Sequence, residues 1–404
     1  MKKYDAIIIG AGIAGLTLGK FLSKDFEVLI IEKSVTIPHK TWLTKMSILE
    51  NNRIQKYITK EFKKYFLSGS DGKKLYVEND YCSINEKLLC SDYINQIKDN
   101  RGVILFETEF IDYKKIDSET LEIKTSKGIQ KCRLLIDCSG YDSKIATSKK
   151  MYKNEFFYNI YGEIYNYKMN SEEINMLSNY DKSSFFEAVP ISNDKCVVYT
   201  FNITNEPYDY IKLRKENEKN IEFYDKMHGV KLTNKLSVIG GTIPLRKMTF
   251  NSLDNVFFFG DSGNTTPPWS GLGFSYIIKY GEETYNHIKN CLNNNTLQKK
   301  HLNYPIKKED RLTFEIHRVV SKMFTITDTK DFIEYINFMR EISPNIIDAL
   351  FIGTINGKEY WSVIRKGIKR KSLRKVFYRA IKFNNIIFFI KQGFKCLLYS
   401  IIDN

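Results

Sequence analysis

The sequence has few of the residues that cross-link or ligate small domains. Its seven cysteines include no Cys-x-x-Cys pair, and its five histidines are widely spaced along 404 residues. Scattered thiols of odd number argue against a disulfide framework and against a zinc knuckle, and they favour a reducing compartment. The dispersed histidines do not predict a metal cluster, so we expect no bound metal.

Long apolar runs are also missing. No segment reaches the 18 or more apolar residues that a membrane-spanning helix needs, and the short apolar stretch 6–9 runs into glycines rather than a cleavage site. We therefore expect a cytoplasmic protein without a signal peptide. Apolar residues still make up 43% of the chain and aromatic residues 14%, which suffices for a sizeable core.

Acidic residues are outnumbered by basic ones, 47 against 62, which gives a formal charge of +15. No zinc-finger, basic-zipper or RNA-binding motif accompanies this charge, so we expect no nucleic acid partner. The excess is concentrated near the end of the chain, where residues 365–395 contain eleven Lys or Arg and no acid, interleaved with large apolar residues. Such a mixture predicts peripheral contact of segment 365–402 with the inner face of an anionic membrane. The alternative is a C-terminal helix packed on the body with its lysines outward.

The first 33 residues predict a strand, a tight turn, a helix and a second strand. The turn Gly10-x-Gly12-x-x-Gly15 follows an apolar strand and opens the helix, a context in which backbone amides meet a pyrophosphate. Glu32 ends the second strand, where an acid accepts the hydrogen bonds of a ribose diol. The candidate dinucleotide-binding residues are Gly10, Gly12, Ile13, Ala14, Gly15, Glu32 and Lys33. The alternative is a glycine-rich turn that merely closes a βαβ unit.

Two later segments resemble each other in design, because each is an apolar strand that ends at glycine. Residues 134–137 lead into Cys138-Ser139-Gly140, and residues 255–259 lead into Gly260-Asp261, followed by Pro267-Pro268 and Gly271-Leu272-Gly273 at a helix start. A helix that begins near Gly271 directs its unpaired amides and positive dipole end at whatever lies in front of it. The alternative is a loop that only joins strand to helix.

With these three motifs in order, the chain resembles the FAD-dependent superfamily of p-hydroxybenzoate hydroxylase-type monooxygenases, geranylgeranyl reductases, flavin halogenases and lycopene cyclases. The resemblance implies that FAD is the cofactor and that Gly140 lies where the chain passes it. It also implies that Asp261 hydrogen-bonds the ribityl chain. The residues implied to lie against the isoalloxazine are Pro267, Pro268, Gly271, Leu272 and Gly273.

The predicted fold is α/β, with a Rossmann-type FAD-binding domain, an inserted antiparallel β-sheet substrate domain and a helical C-terminal region. The predicted boundaries are 1–152 and 251–304 for the two parts of the FAD-binding domain, 153–250 for the sheet domain and 305–404 for the helical region. Within the first part, residues 40–100 are interpreted as mainly helical and 103–136 as hairpin strands.

No second glycine fingerprint follows a strand in the middle of the chain, so a separate NAD(P)H domain is not expected. The electron donor would then be NAD(P)H bound transiently in a shared cleft, or a separate flavin reductase would supply the electrons.

The leading hypothesis is an FAD-dependent oxidoreductase, a reductase or monooxygenase, that acts on a small apolar substrate of the isoprenoid or aromatic kind. Its candidate catalytic residue is Glu187, a proton donor if burial raises its pKa; the alternative is a surface residue at a strand edge. A segment His39-x-Thr41-Trp42 is similar to lycopene cyclases and supports the alternative of a cyclase-like isomerase that uses reduced FAD without net redox. A flavin-dependent halogenase is a further alternative, although no Trp-x-Trp-x-Ile-Pro segment is present.

Overall fold

The computed structural model describes most of the chain. The described residues are 2–37, 40, 42–168, 173–181, 184–229, 231–248, 250–264, 266–304, 307–326, 329–352, 355–381 and 386–402. The strands are β1 Lys3–Ile9, β2 Val28–Ile31, β3 Leu43–Lys45, β4 Ile58–Ser68, β5 Lys74–Ile84, β6 Gly102–Leu105, β7 Phe110–Lys115, β8 Leu121–Thr125, β9 Gly128–Asp137, β10 Tyr152–Tyr165, β11 Glu173–Asp181, β12 Ser184–Pro190, β13 Cys196–Thr204, β14 Lys235–Met248, β15 Ser252–Leu253 and β16 Val256–Phe258. The helices are α1 Ile13–Leu22, α2 Met46–Asn51, α3 Glu86–Lys98, α4 Lys144–Ser148, α5 Tyr210–His228, α6 Gly273–Asn293, α7 Lys299–Leu302, α8 Lys308–Phe324, α9 Thr329–Met339, α10 Pro344–Ile352, α11 Gly357–Lys369, α12 Lys371–Ile381 and α13 Ile386–Ile402.

The first sheet has the strand order β15-β16-β9-β1-β2-β6, and the five strands from β16 to β6 are parallel. Strand β2 is buried along its whole length, as expected for an inner parallel strand covered on both faces. Helices α1, α3 and α6 cover one face, and the hairpin β7–β8 with α4 covers the other. The Rossmann-type domain expected from the sequence is therefore confirmed.

The second sheet has the order β14-β10-β13-β12-β11-β4-β5-β3. Its pairs are antiparallel except β11 with β4, which is parallel, so the sheet is mixed and not purely antiparallel as predicted. Helix α5 covers one of its faces.

Two interpretations of local structure were wrong. Residues 40–100 contain three strands of the second sheet. The sequence interpretation missed them because exposed charged residues such as Glu61, Lys63 and Glu78 interrupt the apolar positions of β4 and β5. Residues 102–105 form the parallel strand β6 instead of a hairpin arm, whereas β7, β8 and β9 do form the expected antiparallel meander. The boundaries at 152, 250 and 304 stay predictions.

The C-terminal region is helical, as expected, and packs on the face of the second sheet opposite α5. Phe185 on β12 lies with its ring centroid 4.7 Å from Phe324 of α8 and 5.2 Å from Phe332 of α9. In the part of the chain that the structure describes, no helix is long and apolar enough to cross a membrane.

Helices α1 and α6 pack closely because Gly281 faces Thr17. A Cβ added at Gly281 would lie 2.4 Å from the Thr17 methyl carbon, inside contact distance. We expect Gly281→Ala to lower the free energy of unfolding by about 1–3 kcal/mol through overpacking. Urea unfolding measures the change. Gly393→Ala in α13 is the matched control, since open space there predicts a gain of about 0.5–1 kcal/mol; loss of equal size in both variants would contradict this packing.

Candidate active site

The candidate site forms where neighbouring parallel strands end. Strands β2, β1, β9 and β16 are adjacent, and their carboxyl ends lead into Glu32, the 10–15 turn, Ser139–Gly140 and the 260–273 loop. Parallel strands bring such ends to one edge of the sheet, which is where open α/β folds bind ligands. The structure therefore brings together all the sequence-predicted cofactor residues, which lie at this edge, whereas Glu187 lies on the second sheet.

The glycine turn is shaped by two close backbone contacts. A Cβ at Gly10 would lie 2.7 Å from the Cys138 carbonyl oxygen, and a Cβ at Gly15 would lie 2.0 Å from the Gly10 carbonyl oxygen. Gly12 differs, because a Cβ there would meet no atom within 4 Å and its φ of −67° is open to any residue. Gly10 and Gly15 are thus required by packing, while Gly12 faces open space at the start of α1.

Glu32 is buried beside the glycine turn. Its carboxylate accepts hydrogen bonds from the backbone amides of Ala11 (2.8 Å) and Ser34 (2.9 Å). One acid thereby joins the end of β2 to the turn that follows β1. Lys33 next to it is exposed.

Asp137, which the sequence interpretation left without a role, organises the loop after β9. Its buried carboxyl accepts hydrogen bonds from the Ser139 amide (2.9 Å), the Ser139 hydroxyl (2.6 Å) and the Ser143 hydroxyl (2.6 Å). Burial raises its pKa, and these donors oppose the rise. In the sequence, the feature that could have pointed to Asp137 is an acid at the end of a strand, followed by two serines. Gly140, at φ +85°, has open space where a Cβ would stand.

The loop after β16 packs against the glycine turn and against itself. A Cβ at Gly260 would lie 2.6 Å from the Ala14 Cβ, so the loop contacts the start of α1. The Thr266 hydroxyl donates to the Asp261 carboxylate, and a Cβ at Gly273 would lie 2.5 Å from that hydroxyl oxygen. These contacts fix the position of Asp261, which is partly exposed, at this edge of the sheet.

Pro267 and Pro268 are buried, and the chain then reaches α6 through Gly271 at φ +66° and Leu272. Gly271 faces open space, as Gly12 does. Neither α1 nor α6 has a side-chain cap at its first turn, so both helices direct amide hydrogens and positive dipole ends toward this edge.

Trp42 connects the second sheet with α6. Its ring stacks on Phe274 with centroids 4.7 Å apart and planes at 15°. The Thr44 and Ser275 hydroxyls lie 2.8 Å apart beneath this stack. Of the cyclase-like segment, His39 and Thr41 lie outside the described residues.

Glu187 lies on the face of β12 that the C-terminal helices cover. Phe185 and Val189, its alternate neighbours, belong to the core shared with those helices, whereas Phe186 and Ala188 point toward α5. Glu187 pairs across the sheet with Tyr199 and is only partly exposed. No hydrogen bond to it is found among the described residues, and burial raises the pKa of its carboxyl to about 8.

An aromatic cluster joins this face to the loop before α6. The Phe324 ring lies 4.7 Å from Phe185 and 5.8 Å from Trp269, the residue after Pro268. Trp269 also stacks near Phe351, at 4.5 Å. Glu187 is therefore on the apolar side of the sheet that packs beside the 267–273 loop.

The profile of the lycopene cyclase protein family matches residues 5–374. The chain belongs to the lycopene cyclase family. No curated protein sequence matches this family member.

Solved structures with the same fold are distant in sequence. A geranylgeranyl bacteriochlorophyll reductase-like protein from Thermoplasma acidophilum has 13% identity and a TM-score of 0.69 over 94% of this chain and 100% of its own. Halogenase PltM in complex with phloroglucinol and FAD has 12% identity and a TM-score of 0.67 over 99% of both chains. The p-nitrophenol 4-monooxygenase PnpA from Pseudomonas putida has 11% identity and a TM-score of 0.64 over 94% and 98%. This lycopene cyclase family member thus shares the fold of these FAD-dependent proteins. Its membership of the lycopene cyclase family makes it an enzyme of the FAD-dependent oxidoreductase superfamily.

The raised pKa of Glu187 gives this protein a pH-dependent stability. The carboxyl stays protonated in the folded state up to about pH 8, whereas in the unfolded chain it ionises at its ordinary pKa of 4.5. Its contribution is fully present below pH 4.5 and is lost as the pH rises toward 8.

Relative to Glu187→Gln, the wild type should lose about 2 kcal/mol of unfolding free energy between pH 5 and pH 8, a figure reduced for partial exposure. Urea unfolding of both proteins at several pH values measures this. Glu78→Gln, at an exposed position of β5, is the control. Parallel pH profiles of the wild type and Glu187→Gln would show that the carboxyl ionises normally.

Proposed function

We propose that the chain binds FAD at the edge where β2, β1, β9 and β16 end, and that it acts on an unsaturated apolar substrate held against the adjacent face of the second sheet. The observation that carries the proposal is a set of three glycines that face open space. Gly12, Gly140 and Gly271 stand around this edge with no atom within 4 Å of a built Cβ, although the packing around them is tight. A cofactor can therefore come close to the protein backbone at these three glycines.

The residues present fit FAD. Gly10, Gly12, Gly15 and Glu32 would hold the ADP half, Asp261 the ribityl chain and the loop 267–273 the ring system. Bound there, FAD would supply hydride or electron transfer. The chain's own part is to orient the cofactor on two helix N-termini. The positive end of α1 would face the pyrophosphate, and that of α6 would favour negative charge at the ring.

Glu187 is proposed as the proton donor to a carbon–carbon double bond. A carboxyl with a pKa near 8 is mostly protonated at neutral pH and is matched to general-acid work. Its neighbours are apolar or aromatic, and they would exclude water from the reacting bond. This arrangement favours a reductase, because hydride addition to one carbon of a double bond leaves the other carbon to be protonated.

The electron donor is part of the same proposal. NAD(P)H would bind transiently near the substrate face, or a separate flavin reductase would deliver reduced cofactor. Both routes consume one reductant for each product.

The second candidate is a cyclase-like isomerase, which the family match over residues 5–374 favours. In that reaction Glu187 would also donate the proton, and a proton would leave elsewhere in the substrate, so no reductant is consumed overall.

Gly12→Ala should leave the free energy of unfolding unchanged within about 0.5 kcal/mol yet lower FAD occupancy at least tenfold, because the methyl group occupies only cofactor space. Asp261→Ala should likewise yield protein without the yellow cofactor. Flavin absorbance per mole of purified protein gives the occupancy. Gly393→Ala, in α13 with equally open space and without a positive φ, is the control. Full flavin occupancy in both Gly12→Ala and Asp261→Ala would refute the assigned site.

Glu187→Gln should retain bound flavin but lose about 10²- to 10⁴-fold in turnover of unsaturated prenyl substrates, since the amide cannot donate a proton in acid catalysis. In the wild type, turnover should fall as the pH rises through about 8, where the acid ionises. Substrate conversion followed together with reductant consumption checks both statements. Unchanged turnover in the variant would remove Glu187 from the mechanism, and product formed without reductant would select the isomerase.

A further inference from the structure

Helix α13 has its polarity reversed relative to an ordinary surface helix. Six large apolar side chains share an arc of about 100° on its solvent side, given 3.6 residues per turn. These six are all exposed, and they are Ile387, Ile390, Phe394, Leu397, Leu398 and Ile401. We refer to them as the outward face of α13. Individual exposures reach 76% for Ile387 and 66% for Ile390.

The opposite side of the helix carries polar residues and is buried. Gln392 and Ser400 are 3% and 0% exposed, and Cys396 lies between them at 2%. A helix placed only by its own amphipathicity would turn Gln392 and Ser400 toward water. Their burial leaves the apolar side chains of the outward face turned toward solvent.

Contacts with the body fix this orientation. Lys395 donates to the Glu315 carboxylate of α8 at 3.4 Å, and the Phe388 ring meets Phe156 of β10 with centroids 5.9 Å apart. Tail and body are therefore packed together, as the alternative interpretation of the sequence expected. That interpretation expected lysines on the solvent side of the helix, whereas the solvent side consists mainly of apolar side chains.

Positive charge lies beside the outward face, on Lys391 of α13 itself and on the two helices before it, and we call these cations its basic border. The exposed Lys and Arg side chains of α11 to α13 without an ion pair among the described residues include Lys369, Lys371, Arg374, Lys375 and Lys391. Arg370 is engaged with Glu334 and Glu341. Residues 365–402 contain no acid at all, so no negative charge in the segment compensates these cations. Tyr378 of α12, 74% exposed, adds an amphipathic ring.

We propose that the outward face of α13, with its basic border, docks on the surface of an anionic lipid bilayer. Exposed apolar side chains would enter the boundary between headgroups and acyl chains, while the cations contact lipid phosphates. A second copy of the chain fits the same surface poorly, because symmetric pairing would bring uncompensated Lys and Arg against each other. The proposal stands on its own and holds whichever reaction the site performs.

Flotation of the full-length protein with vesicles tests the docking. Two vesicle preparations are compared, phosphatidylcholine alone and phosphatidylcholine with about 30 mol% phosphatidylglycerol, and we expect binding to the second at least tenfold stronger. A triple outward-face variant should reduce the partition coefficient on the order of 100-fold, because less apolar area is buried. Its substitutions are Ile387→Ser, Ile390→Ser and Phe394→Ser.

A charge variant separates the electrostatic part. Neutralising four border cations should reduce partitioning into anionic vesicles by about 100-fold or more while changing binding to phosphatidylcholine little. Its substitutions are Lys371→Gln, Arg374→Gln, Lys375→Gln and Lys391→Gln. Each variant has a control with the same number of substitutions, of the same apolar or basic kind, at exposed sites elsewhere, and both controls should bind as the wild type does. The controls are Ile116→Ser with Ile211→Ser and Leu236→Ser, and Lys63→Gln with Lys98→Gln, Lys114→Gln and Lys124→Gln.

If a variant keeps the thermal unfolding temperature and the flavin content of the wild type, its weaker binding comes from the changed surface and not from misfolding. The lipid measurements do not depend on whether the proposed reaction is correct. Equal partitioning of the wild type and the outward-face variant overturns the proposal. Absence of wild-type binding to anionic vesicles also overturns it. A concentration-dependent dimer that the outward-face variant abolishes, with no vesicle binding, would assign the face to a second copy instead.

Discussion

The site depends on the parallel pairing of β9 with β1 on one side and β16 on the other. This register places Asp137 opposite Ile9 and Phe258, so three strands end at one level and three loops leave side by side. The Asp137 backbone carbonyl accepts hydrogen bonds from the Phe259 amide (3.0 Å) and the Ser262 hydroxyl (2.5 Å), while its carboxyl binds the loop after β9. One residue thereby coordinates segments more than a hundred positions apart in sequence.

Close contacts between these loops explain which glycines the chain must have. Gly10, Gly15 and Gly260 are placed where a side chain would strike backbone or Ala14, and Gly273 where it would strike Thr266. Gly12, Gly140 and Gly271 experience no such pressure from the protein. What they share is open space where a Cβ would stand. The fold therefore requires the first group of glycines, whereas a ligand would be the reason for the second group.

The sequence predicted the first sheet well because its signals are local. A buried apolar run ending in a glycine turn can be recognised without knowing its partners, and β1, α1, β9 and the 260–273 loop are all of this kind. Strands β4 and β5 escaped recognition although they pair with each other as a hairpin. Exposed charged residues, Glu61 and Lys63 on β4 and Glu78 and Asp80 on β5, interrupt the buried positions of these strands. The other partner of β4 is β11, more than a hundred residues later, so the sequence near β4 gives no sign of it. Asp137 was missed because its partners Ser139 and Ser143 reach its carboxyl only through the bend of the loop, which the sequence does not show. For Glu187 the sequence could suggest a proton donor, but only the packing of helices α8 and α9 shows the apolar face on which it lies.

The parallel pair β4–β11 has a consequence for the order in which the protein can assemble. The second sheet combines strands that precede β9 in the chain with strands that follow it, and the first sheet receives β16 only after the second is complete in sequence. Neither sheet corresponds to a continuous stretch of polypeptide. During synthesis, the second sheet cannot be completed before β14 has left the ribosome, and the first sheet, with the edge that gathers the glycine loops, cannot be completed before β16 and α6 have followed.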